Sequence, residues 1–316
     1  MTATRFSSGD PVADRRAEYA GQFAARGETQ AAIDVLKSAL DLAPHWTAGW
    51  FQLGQYHQDA GQDEAAGNAW TRVLEIDPSD PFGASLKLDL ARAVPLAESM
   101  PPAFVELLFD QYAPDFDSAL VERLQYRGPE ILMQRLQAAG FRHAGKALDL
   151  GCGTGLMGEV LRPHCGRLEG VDISARMLAE AGAKGVYDAL HKRDIARQEA
   201  SGEVFDLIVA ADVFAYIGAL ENVIAWCRNA LVPDGMLAFT VEAGEGDTVL
   251  RDSRRFAHGQ DYIAALLAQA GFSGIAIHPC VVRQDRGTDI LSYCVVASLA
   301  PLRHDREDDG EAREAV

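Results

Sequence analysis

The chain is short of the features that mark several common classes of protein. Its five cysteines, at positions 152, 165, 227, 280 and 294 of 316 residues, form no Cys-x-x-Cys pair and no Cys/His cluster with zinc spacing. No bound metal is therefore expected, and the setting expected is reduced and cytoplasmic. Also missing is any apolar run near the roughly 18 residues that a membrane span needs. The segment 1–14 lacks the basic start and apolar centre of a signal peptide, so no membrane partner is expected. Positive charge is scarce, with 29 Lys and Arg against 46 Asp and Glu, a net −17 and a pI near 4.8. Such a field repels phosphate backbones, which argues against nucleic acid and leaves small molecules or proteins as partners. A hydrophobic fraction of 48 % over this length suits two packed domains.

Residues 1–14, rich in Ser, Thr and Asp with Pro11, are expected to be disordered. From Arg15 the pattern is helical and repeats: Pro44 and Pro78, Gly27 and Gly61, Ala32 and Ala66, Leu36 and Trp70, and Tyr19 and Leu53 are each 34 residues apart. That is the tetratricopeptide period. The second unit carries Trp50, Leu53, Gly54, Gly61, Ala66 and Pro78; the first is weaker, with Arg16 and Ala20 where the second has Trp50 and Gly54. A further helix over Phe82–Ala93 completes an all-α repeat domain at 15–94, read either as a docking surface for a protein partner or as a lid on the second domain. Pro95–Pro102, with three prolines in eight residues, reads as the linker.

The remainder, 103–300, is expected to be α/β. Helices are predicted over Ala103–Tyr112, about Ser118–Leu124, and from Pro129 to Gly140, with Phe109, Tyr112, Phe116 and Tyr126 at their joints. Tyr112 is either a core residue or a cover over a ligand. Strands follow at Ala147–Leu150, Leu168–Asp172, Gly185–Tyr187, Phe205–Ala211 and Met236–Glu242, the last after a turn at Leu231–Gly235. A helix over Gln260–Ala270 and two closing strands, Gly274–Pro279 and Ile290–Leu299, complete a doubly wound sheet. The acidic tail 301–316 is expected to be disordered.

The centre of this half is Asp149-Leu150-Gly151-Cys152-Gly153-Thr154-Gly155-Leu156, a strand breaking into alternate glycines and then a helix. Such a loop lets a nucleotide-like cofactor lie against the backbone. The run from Gly153 to Gly158 also fits Gly-x-Gly-x-x-Gly with Asp172 nineteen residues on, a weak dinucleotide signal. Two features favour S-adenosylmethionine. Asp149, two residues before the first glycine, suits a methionine ammonium and repels a pyrophosphate. Asp172 and Asp194 are acceptors suited to ribose hydroxyls and an adenine amine.

Here the sequence resembles the class I S-adenosylmethionine-dependent methyltransferases. The likeness rests on Leu148–Gly155, Gly170-Val171-Asp172-Ile173-Ser174, Asp194-Ile195, Phe205-Asp206-Leu207-Ile208 and Leu231-Val232-Pro233-Asp234-Gly235, in that order. More narrowly it is similar to the predicted bacterial group with N-terminal tetratricopeptide repeats, through Phe109–Asp117, Arg255-Phe256-Ala257-His258 and Tyr262. The resemblance implies a seven-stranded Rossmann-like sheet. It implies that Gly151, Gly153 and Gly155 line the methionine and ribose, with Asp149 near the ammonium. Asp172 would take both ribose hydroxyls, Ile173 and Met177 would contact the adenine, and Asp194 and Ile195 would bind its edge. Ala211 and Asp212 would border the methyl group. Cys152, Thr154, Leu156 and Ser174 complete the expected cofactor contacts, with Tyr112 as cover.

The expected reaction is methyl transfer to an O or N atom of a small-molecule or protein-borne acceptor. Ala211–Tyr216 lacks the (Asn/Asp)-Pro-Pro-Tyr box of amide or adenine-amine methylation. The candidate catalytic group is Arg255, His258 and Tyr262, joined by Arg283. His258 suits a base and the arginines a clamp for an acidic substrate. The alternative is that His258 caps the helix starting at Gln260 and the arginines form surface pairs. Two other function classes stay open: an NAD(P)-dependent oxidoreductase, and a scaffold that binds S-adenosylmethionine without turnover.

Overall fold

The computed structural model describes residues 6–92, 100–113, 116–118, 120, 124–197, 202–251, 253–285 and 287–301. The chain divides into two compact units between Leu107 and Leu108. Most of the expected linker at 95–102 and nearly all of the acidic tail lie outside the described residues.

The first unit is built of α1 (Pro11–Ala25), α2 (Thr29–Leu40), α3 (Thr47–Asp59), α4 (Asp63–Ile76) and α5 (Ala84–Arg92). Its start corrects the expectation of disorder for residues 6–14; residues 1–5 of that expectation lie outside the described residues. Pro11 stands in the first turn of α1, and the Asp10 carboxylate accepts from the amides of Val12 and Ala13 at 2.7 and 3.1 Å. Asp14 draws the preceding turn in by accepting from Ser7 Oγ and Ser8 N, each at 2.7 Å. Composition alone missed these caps. Helix α1 packs on α2 and α3 on α4. Gly54 permits the close approach of α3 to α4, since a Cβ there would collide with the Trp70 indole. Ala20, Ile33, Leu36, Leu53 and Tyr56 form one buried cluster, and Ala66, Trp70, Val73, Phe82 and Leu88 form a second.

Helix α6 (Pro102–Tyr112) carries the boundary between the units. A single turn at Phe116–Ser118 stands where a longer helix was expected from Ser118, and residues 119 and 121–123 of that expectation lie outside the described residues. Helix α7 (Gly128–Ala138) precedes the sheet, whose parallel part is β1 (Ala144–Leu150), β2 (Cys165–Asp172), β3 (Ala189–Lys192), β4 (Phe205–Ala210) and β5 (Leu231–Ala243). These lie in the order β3-β2-β1-β4-β5. Between them come α8 (Leu156–Leu161), α9 (Ala175–Lys184) and α10 (Glu221–Asn229). Two adjustments to the expected strands have local causes. Gly185 takes φ +65 to end α9, which moves β3 from 185–187 to Ala189–Lys192. The expected turn over Leu231–Gly235 is a register shift inside β5, with Phe205 opposite Leu231 but Leu207 opposite Met236.

After β5 the chain forms β6 (Thr248–Leu250), β7 (Phe256–His258), α11 (Gln260–Gln269), β8 (Gly274–Asp285) and β9 (Thr288–Ser298). Strand β9 joins β5 antiparallel and β8 joins β9. The sheet has nine strands among the described residues, not the seven expected. The two additions are the short β6–β7 hairpin, whose β7 extends the end of β5 by pairing Glu242 with Ala257 and Ala243 with His258. Successive strand residues feed opposite cores. Leu148, Leu150, Ile208 and Phe239 pack with α10 and α11, while Ala147, Leu207, Val209 and Ala238 pack with α7 and α8. A sheet covered on both faces explains why these strands are apolar throughout. With β2 on one side of β1 and β4 on the other, the strand order reverses at β1. Ligand crevices form at the carboxyl ends of strands at such a point. No described helix is long and apolar enough to cross a membrane.

Candidate active site

The loop after β1 rises at that switch point. Gly151, Gly153 and Gly155 take φ of +66, +53 and +95 before α8 begins at Leu156. A Cβ on Gly151 would lie 2.5 Å from Val213 Cγ2, so the first turn admits only glycine. Asp172, at the end of β2, stitches the loop to the next helix: one carboxylate oxygen accepts from Gly153 N at 2.9 Å and the other from Ser174 N at 2.8 Å. Ser174 in turn caps α9 by accepting from Met177 N, and donates its hydroxyl to Asp110 at 2.6 Å. Thr154 donates its hydroxyl to Asp117. Tyr112, the expected cover, is 55 % exposed and stands between these two anchoring acids in sequence.

Asp149 is only 1 % exposed. Its Oδ2 accepts from Tyr187 Oη at 2.6 Å and its Oδ1 has no hydrogen-bond partner. Burial pushes this carboxyl up to about 7; the Tyr187 bond acts against that rise and the Asp172 charge adds to it. Burial likewise holds the Asp172 carboxyl above its ordinary value, against the amides of Ser174 and Gly153 that lower it. Asp194, two residues after β3, is half-buried: Oδ1 accepts from Ala196 N at 2.9 Å, and Oδ2 has no hydrogen-bond partner but lies 3.9 Å from Arg197 Nε. Ile195 opens the single turn that follows, and Met177 is fully buried beneath. Cys152 is buried, and burial pushes its thiol far above the ordinary range.

A second group lies around the carboxyl ends of β4 and β5. Asp212, next to Ala211, takes the left-handed φ of +56, and its amide donates to Thr240 Oγ1 at 2.8 Å. Its Oδ2 accepts from Arg255 Nη1 at 3.3 Å and from Arg283 Nε at 3.2 Å. Glu242 Oε1 accepts from the same two arginines, Arg255 at 3.3 Å and Arg283 more closely. Arg255 also donates to Tyr216 Oη at 2.6 Å. Arg251 adds a third positive charge, 3.6 Å from Glu242. Burial raises the carboxyls of Asp212 and Glu242, with Arg255 opposing it.

The expected trio of Arg255, His258 and Tyr262 is therefore divided. Arg255 and Arg283 belong to this buried cluster and are not surface pairs. His258 is 0 % exposed in β7, with Nε2 3.0 Å from the Gly218 carbonyl and Nδ1 without a partner. Since Nε2 must donate to that carbonyl, the ring's free lone pair faces protein, and burial holds its pKa below the ordinary value. That is the geometry of a neutral core histidine, neither a general base nor a helix cap; Gly259 stands at the start of α11 instead. Tyr262 stacks on His258 with ring centres 6.1 Å apart, accepts from Leu220 N and donates to Glu221. Sequence reasoning missed Tyr187, Tyr216 and Glu242. Only Glu242 left a signal, an acid inside the apolar strand Phe239–Ala243.

Residues 148–237 match the family described as a methyltransferase domain. The match runs from β1 into β5 and likens this stretch to methyltransferase domains. Among curated proteins, the malonyl-[acyl-carrier protein] O-methyltransferase of Enterobacter lignolyticus is 31 % identical over 159 residues, 49 % of this chain and 61 % of that one. The human methyltransferase-like protein 27 is 41 % identical over 112 residues, 34 % of this chain and 45 % of that one. The chain thus spans between under half and about three-fifths of the length of these relatives. Among solved structures, the N-methyltransferase NodS from Bradyrhizobium japonicum with S-adenosyl-L-homocysteine is 23 % identical, covers 54 % of this chain and 85 % of its own, and has a TM-score of 0.42.

The residues present fit S-adenosylmethionine. Asp149, just before the loop, and Asp194, after β3, each keep a carboxylate oxygen without a hydrogen-bond partner, Asp194 with Arg197 at 3.9 Å, and the loop's glycines leave its backbone open to a ligand. A cation and an amine are the groups that complete them.

Proposed function

We propose that the chain transfers a methyl group from S-adenosylmethionine to an oxygen or nitrogen atom of a small-molecule or protein-borne acceptor. The observation that carries this reading is the pair of orphaned carboxylate oxygens beside the glycine loop. A dinucleotide pyrophosphate would meet Asp149 as a like charge, whereas an ammonium meets it as a partner. In this reading Asp149 holds the ammonium. Asp172 takes the ribose hydroxyls on the lone pairs left beside its bonds from Gly153 and Ser174. Ile173 and Met177 border the adenine, with Asp194 and Ile195 at its edge.

When bound, the cofactor supplies a methyl group on a sulfonium that is already activated. The chain's own part is to orient the acceptor in line and exclude water. For that task Ala211 and Asp212 stand at the end of β4, with Asp212 fixed by Arg255, Arg283 and Thr240. Three arginines, 251, 255 and 283, surround two carboxylates, Asp212 and Glu242. The relative from Enterobacter lignolyticus is named for an oxygen acceptor on a protein-borne malonyl group, which supports the same class here. The helical unit is read as two tetratricopeptide-type repeats and one further helix, serving as a docking module for a protein partner or as a lid on the methyltransferase domain.

Incubation with labelled S-adenosylmethionine and fractionated lysate is expected to label one acceptor fraction. Absence of any labelling, with cofactor binding retained, would favour the scaffold reading. Thermal stabilisation by NAD or NADP and not by S-adenosylhomocysteine would replace the methyltransferase reading with an oxidoreductase.

A further inference from the structure

Resting on that cofactor reading, we propose that Tyr187 is a positioning residue for S-adenosylmethionine: its phenol fixes one oxygen of Asp149 and leaves the other for the cofactor's ammonium.

The phenol sits beneath the cofactor loop and cannot easily be replaced there. A Cβ on Gly155 would lie 3.1 Å from its ring and one on Gly170 3.0 Å, and one on Gly158 would collide with the hydroxyl. The ring is thus wedged between the start of α8 and strand β2, which fixes where the hydroxyl points. That hydroxyl donates to Asp149 Oδ2 at 2.6 Å, and Oδ1 is buried with no protein partner. Burial and the Asp149 charge push the phenol's pKa far above its ordinary value, so Tyr187 donates at every working pH. The other titratable groups that act on Asp149 or feel its charge are Asp172, Cys152, Cys165 and Tyr126. None of them is a cation. A carboxylate so placed ionises fully when a positive ligand arrives, and the Tyr187 bond lowers the pH at which it does so.

The consequence for binding has a definite sign. Affinity for an ammonium-bearing ligand is lost as pH falls through the Asp149 pKa, which lies at about 7. Without the phenolic hydroxyl that pKa rises, so the loss begins at higher pH.

The test is calorimetric titration of the full chain and its Tyr187→Phe variant between about pH 6 and pH 8.5, spanning the region where Asp149 changes charge. Two ligands are compared: S-adenosylhomocysteine, and 5′-methylthioadenosine, which has the nucleoside but no ammonium. Tyr187→Phe keeps the ring that packs against the glycines. We expect S-adenosylhomocysteine to bind the variant about tenfold more weakly, with its pH midpoint moved upward, while methylthioadenosine binds both proteins alike. Equal affinity and an equal midpoint for S-adenosylhomocysteine would overturn the inference and leave the cofactor reading standing. Equal weakening of both ligands would overturn it too, because the ring would then be acting through the shape of the loop. Failure of the unmodified chain to bind either ligand would overturn the cofactor reading itself, and the inference with it.

Discussion

The two ends of the site handle buried charge in opposite ways. At the carboxyl ends of β1 and β3, carboxylate oxygens are left without hydrogen bonds: Asp149 Oδ1, fully buried, and Asp194 Oδ2, which has only Arg197 at 3.9 Å. Around the ends of β4 and β5, acids are closed by arginines: Asp212 and Glu242 share Arg255 and Arg283. An orphaned buried acceptor costs about 1–3 kcal/mol, so the first arrangement makes sense only where a ligand completes it. The second is complete in itself and holds its shape before any acceptor arrives. The chain thus leaves one end of the site with unfilled acceptors and builds the other as a rigid frame.

The comparison breaks first at the closed end. Glu242→Ala leaves Arg255 and Arg283 buried beside Asp212 alone, and removing one partner of a buried ion pair typically costs about 3–5 kcal/mol. Urea denaturation is expected to show a loss of that size with S-adenosylhomocysteine affinity kept. A loss below about 1 kcal/mol, the value of an exposed pair, would show that the cluster is hydrated. At the open end the sign reverses. The Asp149 carboxyl is raised from 3.8 to about 7 on folding, so its contribution to stability falls as pH rises from about 4 and levels off near 7. Asp149→Asn removes that fall. The melting temperature of the ligand-free variant, relative to the unmodified chain, is expected to climb over the same pH interval, by at most a few kcal/mol in stability. Its S-adenosylhomocysteine affinity is expected to drop at least tenfold, consistent with loss of a charge-assisted bond. A pH-independent difference would place Asp149 in a solvated site.

The open end was legible in the sequence because its signals are local. Asp149 before the glycines, Asp172 at a strand end and Asp194 after the next strand are each fixed by position along one strand and its loop. Those features follow from backbone chemistry and can be seen without knowing what lies opposite. The closed end was legible only in part: Arg255, Arg283 and Asp212 were singled out, but Glu242 and the pairing were not, because the four come from β8, β5, the β6–β7 hairpin and the turn after β4, and only tertiary pairing joins them. The hairpin itself hid for the same reason. Its strands are three residues each, too short to show a period, and the likeness of 255–258 to a known motif suggested function where the fold supplies an extension of β5. Tyr187 escaped because nothing about a tyrosine before a short strand announces what its hydroxyl reaches. At the N-terminus, polar composition implied disorder where Asp10 and Pro11 start a helix; caps are polar by nature, so composition misreads them.

Smaller effects sharpen the same contrast. Asp194→Ala removes an acceptor whose Oδ2 makes no hydrogen bond, and it also releases the Ala196 amide and the 3.9 Å contact with Arg197. S-adenosylhomocysteine affinity is expected to fall about five- to tenfold, the worth of one hydrogen bond. S-inosylhomocysteine, which has a carbonyl in place of the adenine amine, should bind the unmodified chain poorly and discriminate little in the variant. Undiminished discrimination would remove Asp194 from the adenine edge. The least effect on binding is expected at His258, which the sequence offered as a base. Its Nε2 bond to the Gly218 carbonyl ties the β7 strand to the segment after β4, and the ring stacks on Tyr262. His258→Gln can keep a donor near that carbonyl while abolishing imidazole chemistry. About 1 kcal/mol of stability should be lost, and S-adenosylhomocysteine affinity and methyl incorporation into the labelled lysate fraction should stay within about twofold of the unmodified chain. A fall of about a hundredfold or more in methyl incorporation, the contribution of a general base, with stability and cofactor affinity intact, would return His258 to catalysis and require the β6–β7 hairpin to open.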